Sequence, residues 1–149
     1  MKKSIENDRT KLRRKGELIQ TEDLKEIIKD LEDSLEGRHG YGLAGIQIGV
    51  QKQIAIIRMS TMNINLVNPR IIEKENKIVF EEGCLSFPGL YIKTDRFSNV
   101  TFENYEYDEN SKSYSYKRYA VEGLEALVIQ HEVDHLNGIT IFDRKHKAK

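Results

Sequence analysis

Six residues near the C-terminal end, Gln130-His131-Glu132-Val133-Asp134-His135, contain an H-E-x-x-H pattern. On a helix, side chains four apart lie one turn apart on the same face, so the rings of His131 and His135 can reach one ion. Glu132 then stands beside that ion, where a carboxylate can take the proton of a water that the ion has acidified. The apolar spacing of Leu124, Leu127 and Val128 continues into His131 and His135, which puts both histidines on the buried face. Buried imidazoles need polar partners. A metal supplies them, and so does a set of ordinary core hydrogen bonds.

A catalytic divalent metal commonly takes three protein ligands and keeps a further position open for water. For the third ligand the chain offers Cys84, His39, His146 and many acids. Cys84 stands in Glu81-Glu82-Gly83-Cys84-Leu85-Ser86, after a predicted strand and at a bend beside a glycine. A thiolate there completes a Cys-His-His set suited to iron(II), zinc, cobalt or nickel. A lone cysteine serves equally as a small buried hydrophobe. A third segment, His39-Gly40-Tyr41-Gly42-Leu43-Ala44-Gly45-Ile46-Gln47-Ile48-Gly49, has glycines that let the backbone pass close to a ligand. A helix precedes it and a strand follows, the reverse of a dinucleotide fingerprint, so the expectation is a loop lining a site.

These segments need elements to position them. Leu24, Ile27, Ile28, Leu31 and Leu35 recur at helical spacing, with Thr21 as the expected N-cap, Glu22 and Asp23 in the first turn and Gly37 as the stop. Ile54-Ala55-Ile56-Ile57 is a continuous apolar run, as in a strand covered on both faces. Ile64 to Val67 and Ile78 to Phe80 are further short strands, the first closed by Asn68-Pro69. Val100 to Tyr107 and Tyr114 to Ala120 flank a polar loop and form a hairpin, whose tyrosines are expected to pack on the sheet face. A second helix runs from about Gly123 to Asn137 and stops at Gly138. One helix early, strands between and one helix late is an α+β pattern.

No repeat or linker interrupts the chain, and its 149 residues suit one domain, with a polar, irregular segment over 1–20 and a tail from about 144. Lys+Arg and Asp+Glu are equal at 24 each, which argues against DNA as a partner. Basic residues do gather at the two ends: Lys2, Lys3, Arg9, Lys11, Arg13, Arg14 and Lys15, then Arg144, Lys145, Lys147 and Lys149. Solvated tails are the favoured reading, a weak ribosome contact the alternative. No apolar run reaches the roughly 18 residues of a membrane span, and no secretory signal opens the chain. With one cysteine and no export signal, the expected location is the cytoplasm, an organelle stroma or the cytoplasm of a phage-infected host.

In order along the chain, Gly40-Tyr41-Gly42-Leu43-Ala44-Gly45-Ile46-Gln47, Glu82-Gly83-Cys84-Leu85-Ser86 and His131-Glu132-Val133-Asp134-His135 match GxGxAxxQ, EGCxS and HExxH. Together they resemble the three motifs of the peptide deformylases. The likeness continues through Leu66-Val67-Asn68-Pro69 and Leu136-Asn137-Gly138 and spans about residues 20 to 143. It implies an α+β fold in which antiparallel β-sheets pack around the C-terminal HExxH-bearing helix, with one N-terminal helix. It implies one divalent metal per chain on Cys84, His131 and His135, iron(II) being the usual ion and Zn2+, Ni2+ or Co2+ able to substitute. The implied reaction removes the formyl group from N-formylmethionyl peptides and releases formate.

In that reaction the resemblance makes Glu132 the proton carrier, and the Gln47 amide and the Leu85 N–H donors to the oxyanion. Tyr41, Leu124, Leu127 and Val128 become candidates for the methionine pocket, with plain core packing the competing role. Gly42 and Gly89 are candidates for backbone hydrogen bonds to an extended peptide, and Gln130 and Asp134 for orienting the site or for ordinary surface roles. Three departures stand out. Gly45-Ile46 replaces the family's frequent Ala with Pro or Thr, Tyr91 stands near a frequent Arg, and Lys149 ends the chain without the C-terminal helix that many bacterial members add, as in shortened phage-type or organelle-type members. An HExxH endopeptidase would need a ligand downstream, where only His146 remains, and a binding module that kept the fold would not need the whole set.

Overall fold

The computed structural model describes residues 1–147, so Lys149 of the C-terminal basic stretch lies outside the described residues. The helices are α1 (Arg9–Leu12), α2 (Leu24–Leu35) and α3 (Leu124–Leu136), and the strands are β1 (Gly42–Ala44), β2 (Ile54–Arg58), β3 (Asn63–Val67), β4 (Arg70–Gly83), β5 (Tyr91–Asp108) and β6 (Ser113–Glu122). They form two antiparallel three-stranded sheets, in the orders β1-β2-β3 and β4-β5-β6. This is the α+β fold expected, with α3 between the sheets. Among the described residues, no helix is long and apolar enough to cross a membrane.

Strand β2 shows why the apolar run is unbroken. Ala55 and Ile57 face α3, in a core with Leu66, Phe102, Ile129, Val133 and Leu136. Ile54 and Ile56 point the other way, onto Leu31 and Leu35 of α2 and Leu43 of β1. A strand with a helix on each face has no solvent side on which to place polar residues. Helix α3 ends at Leu136 because Gly138 takes a positive φ of 73° where a Cβ would strike the backbone of Arg13, so only glycine lets the N-terminal segment pass.

Four expectations need correction. Residues 1–20 are not simply irregular: Asp8 caps the short α1, and Leu12 and Ile19 are buried. Single apolar residues in a charged segment carry no period, so this docking has no local sign. Thr21 does not cap α2; it opens a 3-10 turn, Thr21–Asp23, that leads into the helix. The Gly-rich segment is not a loop throughout, because Gly42–Ala44 pairs with Ala55–Ile57 as an edge strand. Strands β4 and β5 extend far beyond Ile78–Phe80 and Val100–Tyr107; their polar stretches pair with each other along a twelve-position register and read locally as loop.

Candidate metal centre

Strand β4 ends at Gly83 and hands the chain to a turn in which the Phe87 N–H bonds the Cys84 carbonyl. That turn sets the Cys84 sulfur against α3. The Sγ lies 3.3 Å from Nε2 of His135, and the ligand atoms of Cys84, His131 and His135 all fall within 4.8 Å of one another. The two imidazole rings stand 4.8 Å apart at 75°, as one helical turn dictates. The i,i+4 histidines and the distant cysteine therefore converge. His39 lines the same cavity without joining the cluster, and His146 pairs with Asp95.

The electrostatics suit a cation. Burial alone would raise the Cys84 thiol, but hydrogen bonds from His131 and His135 outweigh it and bring the group to about 5, so the sulfur is a thiolate at neutral pH. Nδ1 of His131 is 2.9 Å from Glu82 Oε1, which fixes the ring and leaves the opposite nitrogen for an ion. Burial opposes charge on His131, while Cys84 and Glu82 raise its pKa well above the ordinary value. Glu132 is buried and its Oε1 has no hydrogen-bond partner among the described residues, nor has Nδ1 of His135, whose Nε2 is the atom that faces Cys84. Burial pushes the Glu132 carboxyl up, against the opposite pull of His131 and His135. A thiolate and two imidazoles are donors that a divalent metal would satisfy, and the Glu132 carboxyl lines the same cavity.

Gln47 reaches the site from the 3-10 turn Gly45–Ile48. Its Oε1 accepts from the Ala44 N–H at 3.0 Å, while its Nε2 donates to Ser86 Oγ at 3.0 Å and points at Cys84 Sγ, 3.6 Å away. The amide plane is thus held with its donor end toward the cluster. Beyond it opens a cavity of about 590 Å³ between the edge strand β1 and the end of β4. Tyr41, Gly42, Leu85, Gly89, Leu124, Leu127, Val128, His131 and Glu132 all line it. Leu127 and Val128 form a buried wall, whereas Tyr41 and Leu124 are exposed at the rim. Tyr91, also exposed, stands at the same mouth.

Behind the ligands lies a layer of which sequence reasoning named only Asp134 for orienting the site. Arg96 is buried and donates through Nε and Nη2 to both oxygens of Glu82, at 2.8 and 2.7 Å. It pairs through Nη1 with Asp134, which also takes two bonds from Arg144. Burial would raise the Glu82 carboxyl, yet Arg96 and His131 hold it well below the usual carboxylate range. The adjacency of Glu82 to Cys84 was a usable signal; Arg96 had none, since strand pairing alone brings it there. Gln130 has a different role: it bonds the backbone of Phe97 and Ala126 and ties α3 to β5.

A thiolate and an HExxH pair grouped as one cation site could be, beside a largely apolar cavity, define a metal-dependent hydrolase. The comparisons narrow this. A family model described as polypeptide deformylase matches residues 1–149. The peptide deformylase of Aquifex aeolicus is 39% identical over 128 residues, covering 82% of this chain and 73% of that protein. The crystal structure of peptide deformylase from Thermotoga maritima superposes with a TM-score of 0.86 at 28% identity, over 99% of each chain. That of the Vibrio parahaemolyticus bacteriophage VP16T, in complex with actinonin, gives 0.82 at 33% identity over 93% of this chain and 99% of that one. The chain belongs to the polypeptide deformylase family, hydrolases that remove N-formyl groups from nascent peptides.

Proposed function

We propose that Cys84, His131 and His135 hold the divalent cation at which this chain hydrolyses N-formylmethionyl peptides, and that iron(II) is the native ion with zinc, nickel or cobalt able to replace it. The observation that carries this reading is the Cys84 thiolate set between two histidines one helical turn apart. When bound, the cation supplies Lewis acidity toward water and toward the formyl carbonyl. Glu132 takes the proton of the attacking water and delivers it to the departing amine; its buried, unengaged Oε1 supports that role. The Gln47 amide and the Leu85 N–H donate to the oxygen on which negative charge develops.

Leu127 and Val128, with Tyr41 and Leu124 at the rim, receive the methionine side chain. The peptide runs extended along the edge of β1, with backbone hydrogen bonds at Gly42 and Gly89. The actinonin bound by the phage VP16T protein is consistent with a ligand in such a cleft. Residues 1–149 act as one domain, in the cytoplasm where formylmethionine is made. Exposed Arg9, Arg14, Lys15 and Lys145 support a weak, salt-sensitive ribosome contact at most.

The test is Glu132→Ala. It is expected to keep full metal content and lose about a hundred- to ten-thousandfold in formate release from a formyl-Met peptide, with no acetate released by the intact enzyme from the acetylated analogue. Near wild-type turnover at full metal content would remove Glu132 from the proton path.

A further inference from the structure

We propose that Arg144, in the segment that follows α3, is a positioning residue for the metal ligand His131. The inference rests on the ligand assignment above and adds a residue that touches neither cation nor substrate. The chain of contacts is unbroken. Arg144 grips both oxygens of Asp134, Nη2 to Oδ1 at 2.9 Å and Nε to Oδ2 at 3.0 Å. Asp134 pairs with Nη1 of Arg96, Arg96 forks onto both oxygens of Glu82, and Glu82 Oε1 meets Nδ1 of His131. Charge alternates in sign along the chain, and Asp134, Arg96 and Glu82 are buried. Two of the joints are bidentate, so they fix orientation as well as distance.

The segment carrying Arg144 is itself tied to the same strand. Strand β6 pairs β5 only from Asn99 onward, which leaves the Lys93–Asp95 edge of β5 free. Residues 144–146 occupy that edge: the Asp95 N–H bonds the Arg144 carbonyl at 2.9 Å, and the His146 N–H bonds the Lys93 carbonyl at 2.8 Å. Between them Thr94 donates to Glu82 Oε2 at 2.6 Å. Arg144 therefore closes a loop of contacts that begins and ends on Glu82. Removing it leaves Asp134 to draw Arg96 alone, and any tilt of Arg96 passes through its fork to Glu82 and to the His131 ring.

Two simpler roles predict other results. A long-range charge effect has the opposite sign, because loss of a cation from the neighbourhood strengthens cation binding. A purely structural clamp lowers the melting temperature and leaves metal affinity alone. The Arg144 side chain is 36% exposed, so its replacement leaves no sealed void.

The experiment titrates cobalt(II) into metal-free full chain and follows its visible ligand-field spectrum, with release into excess chelator as the second readout. Arg144→Met is expected to weaken cobalt binding about tenfold, speed its release and broaden the His131 Nδ1 proton resonance. Arg144→Lys, which keeps charge but not the fork, recovers part of the loss. Arg13→Met removes a pair with Asp143 in the same segment and leaves cobalt affinity unchanged. Unchanged or tighter cobalt binding in Arg144→Met, or an equal loss in Arg13→Met, overturns the proposal. Failure of the intact chain to bind cobalt would instead overturn the ligand assignment.

Discussion

On the β1 side of the cavity the side chains behind the wall are Leu43, Ala44, Ile54 and Ile56, all sealed from solvent. On the β4 side they are Glu82, Thr94, Arg96 and Asp134, also buried. The two walls face the same cluster and do different work. Apolar packing has no preferred direction, so the first wall can bring a backbone close without aiming anything. Hydrogen-bonded ions are directional, so the second wall can hold a ring at an angle. The β1 side supplies proximity, with the Gly42 backbone pressed against Glu132. The β4 side supplies orientation, through Glu82 on His131.

The contrast breaks most visibly at Arg96. Arg96→Met leaves the buried Glu82 carboxylate with His131 alone and Asp134 with Arg144 alone, and is expected to cost about 3–5 kcal/mol in urea unfolding. Pairing it with Glu82→Leu should recover part of that loss while leaving metal affinity low, since an apolar pair repacks but does not orient His131. Recovery of metal affinity in the double variant would mean that the ions stabilise this wall without aiming the ring.

Gly42→Ala probes the opposite wall. An added Cβ would lie 2.8 Å from Glu132 Oε2 and 2.8 Å from the Ile56 carbonyl. The backbone carbonyl cannot yield, so the carboxylate or β1 must move. Turnover should fall about a hundredfold, the scale of an ångström's misplacement, while stability falls by only about 1–3 kcal/mol. Cobalt affinity should hold, because no ligand is touched. Wild-type turnover in Gly42→Ala would show that proximity on this side is not needed.

Acid separates the walls a third way. The Glu82 carboxyl sits below its unfolded value, which is about 4.3. A depressed carboxylate contributes stability that is fully present above that value and is lost as pH falls through the folded one. Metal-free protein should therefore lose stability from about pH 4 downward, and Glu82→Gln should flatten that loss. The apolar wall has nothing to titrate. An equal acid slope in Glu82→Gln would shift the effect to other carboxylates.

How much of this was legible beforehand follows the same divide. Metal chemistry accepts few residue types, so His131 and His135 could be picked out by type and spacing, whereas Cys84 stood among several candidates until the family resemblance singled it out; the structure brings the three together. The β2 run, Ile54 to Ile57, announced a strand covered on both faces. Arg96 was invisible because an arginine in a polar strand looks solvated until the register of β4 and β5 seals it beneath α3. The N-terminal segment hid for a related reason. Leu12 and Ile19 are buried, Ile19 in a cluster with Leu43, Ile54 and Val67, and Gly16 bonds the Leu136 carbonyl. Local pattern reports what a residue prefers among its neighbours in sequence; long-range pairing decides the rest.

The smallest effect sharpens the comparison most. Ile56→Val removes one methylene from a fully buried position that faces α2 and Leu43, on the side of β2 away from the cluster. Its cost should be about 0.5–1.5 kcal/mol of unfolding free energy, with kcat and cobalt affinity within experimental error of the intact chain. If proximity on the β1 side comes from bulk packing, a small void on the α2 side of β2 relaxes without moving Gly42. If turnover falls as far as it does in Gly42→Ala, then the apolar wall is as finely aimed as the ionic one, and the division of labour between them is wrong.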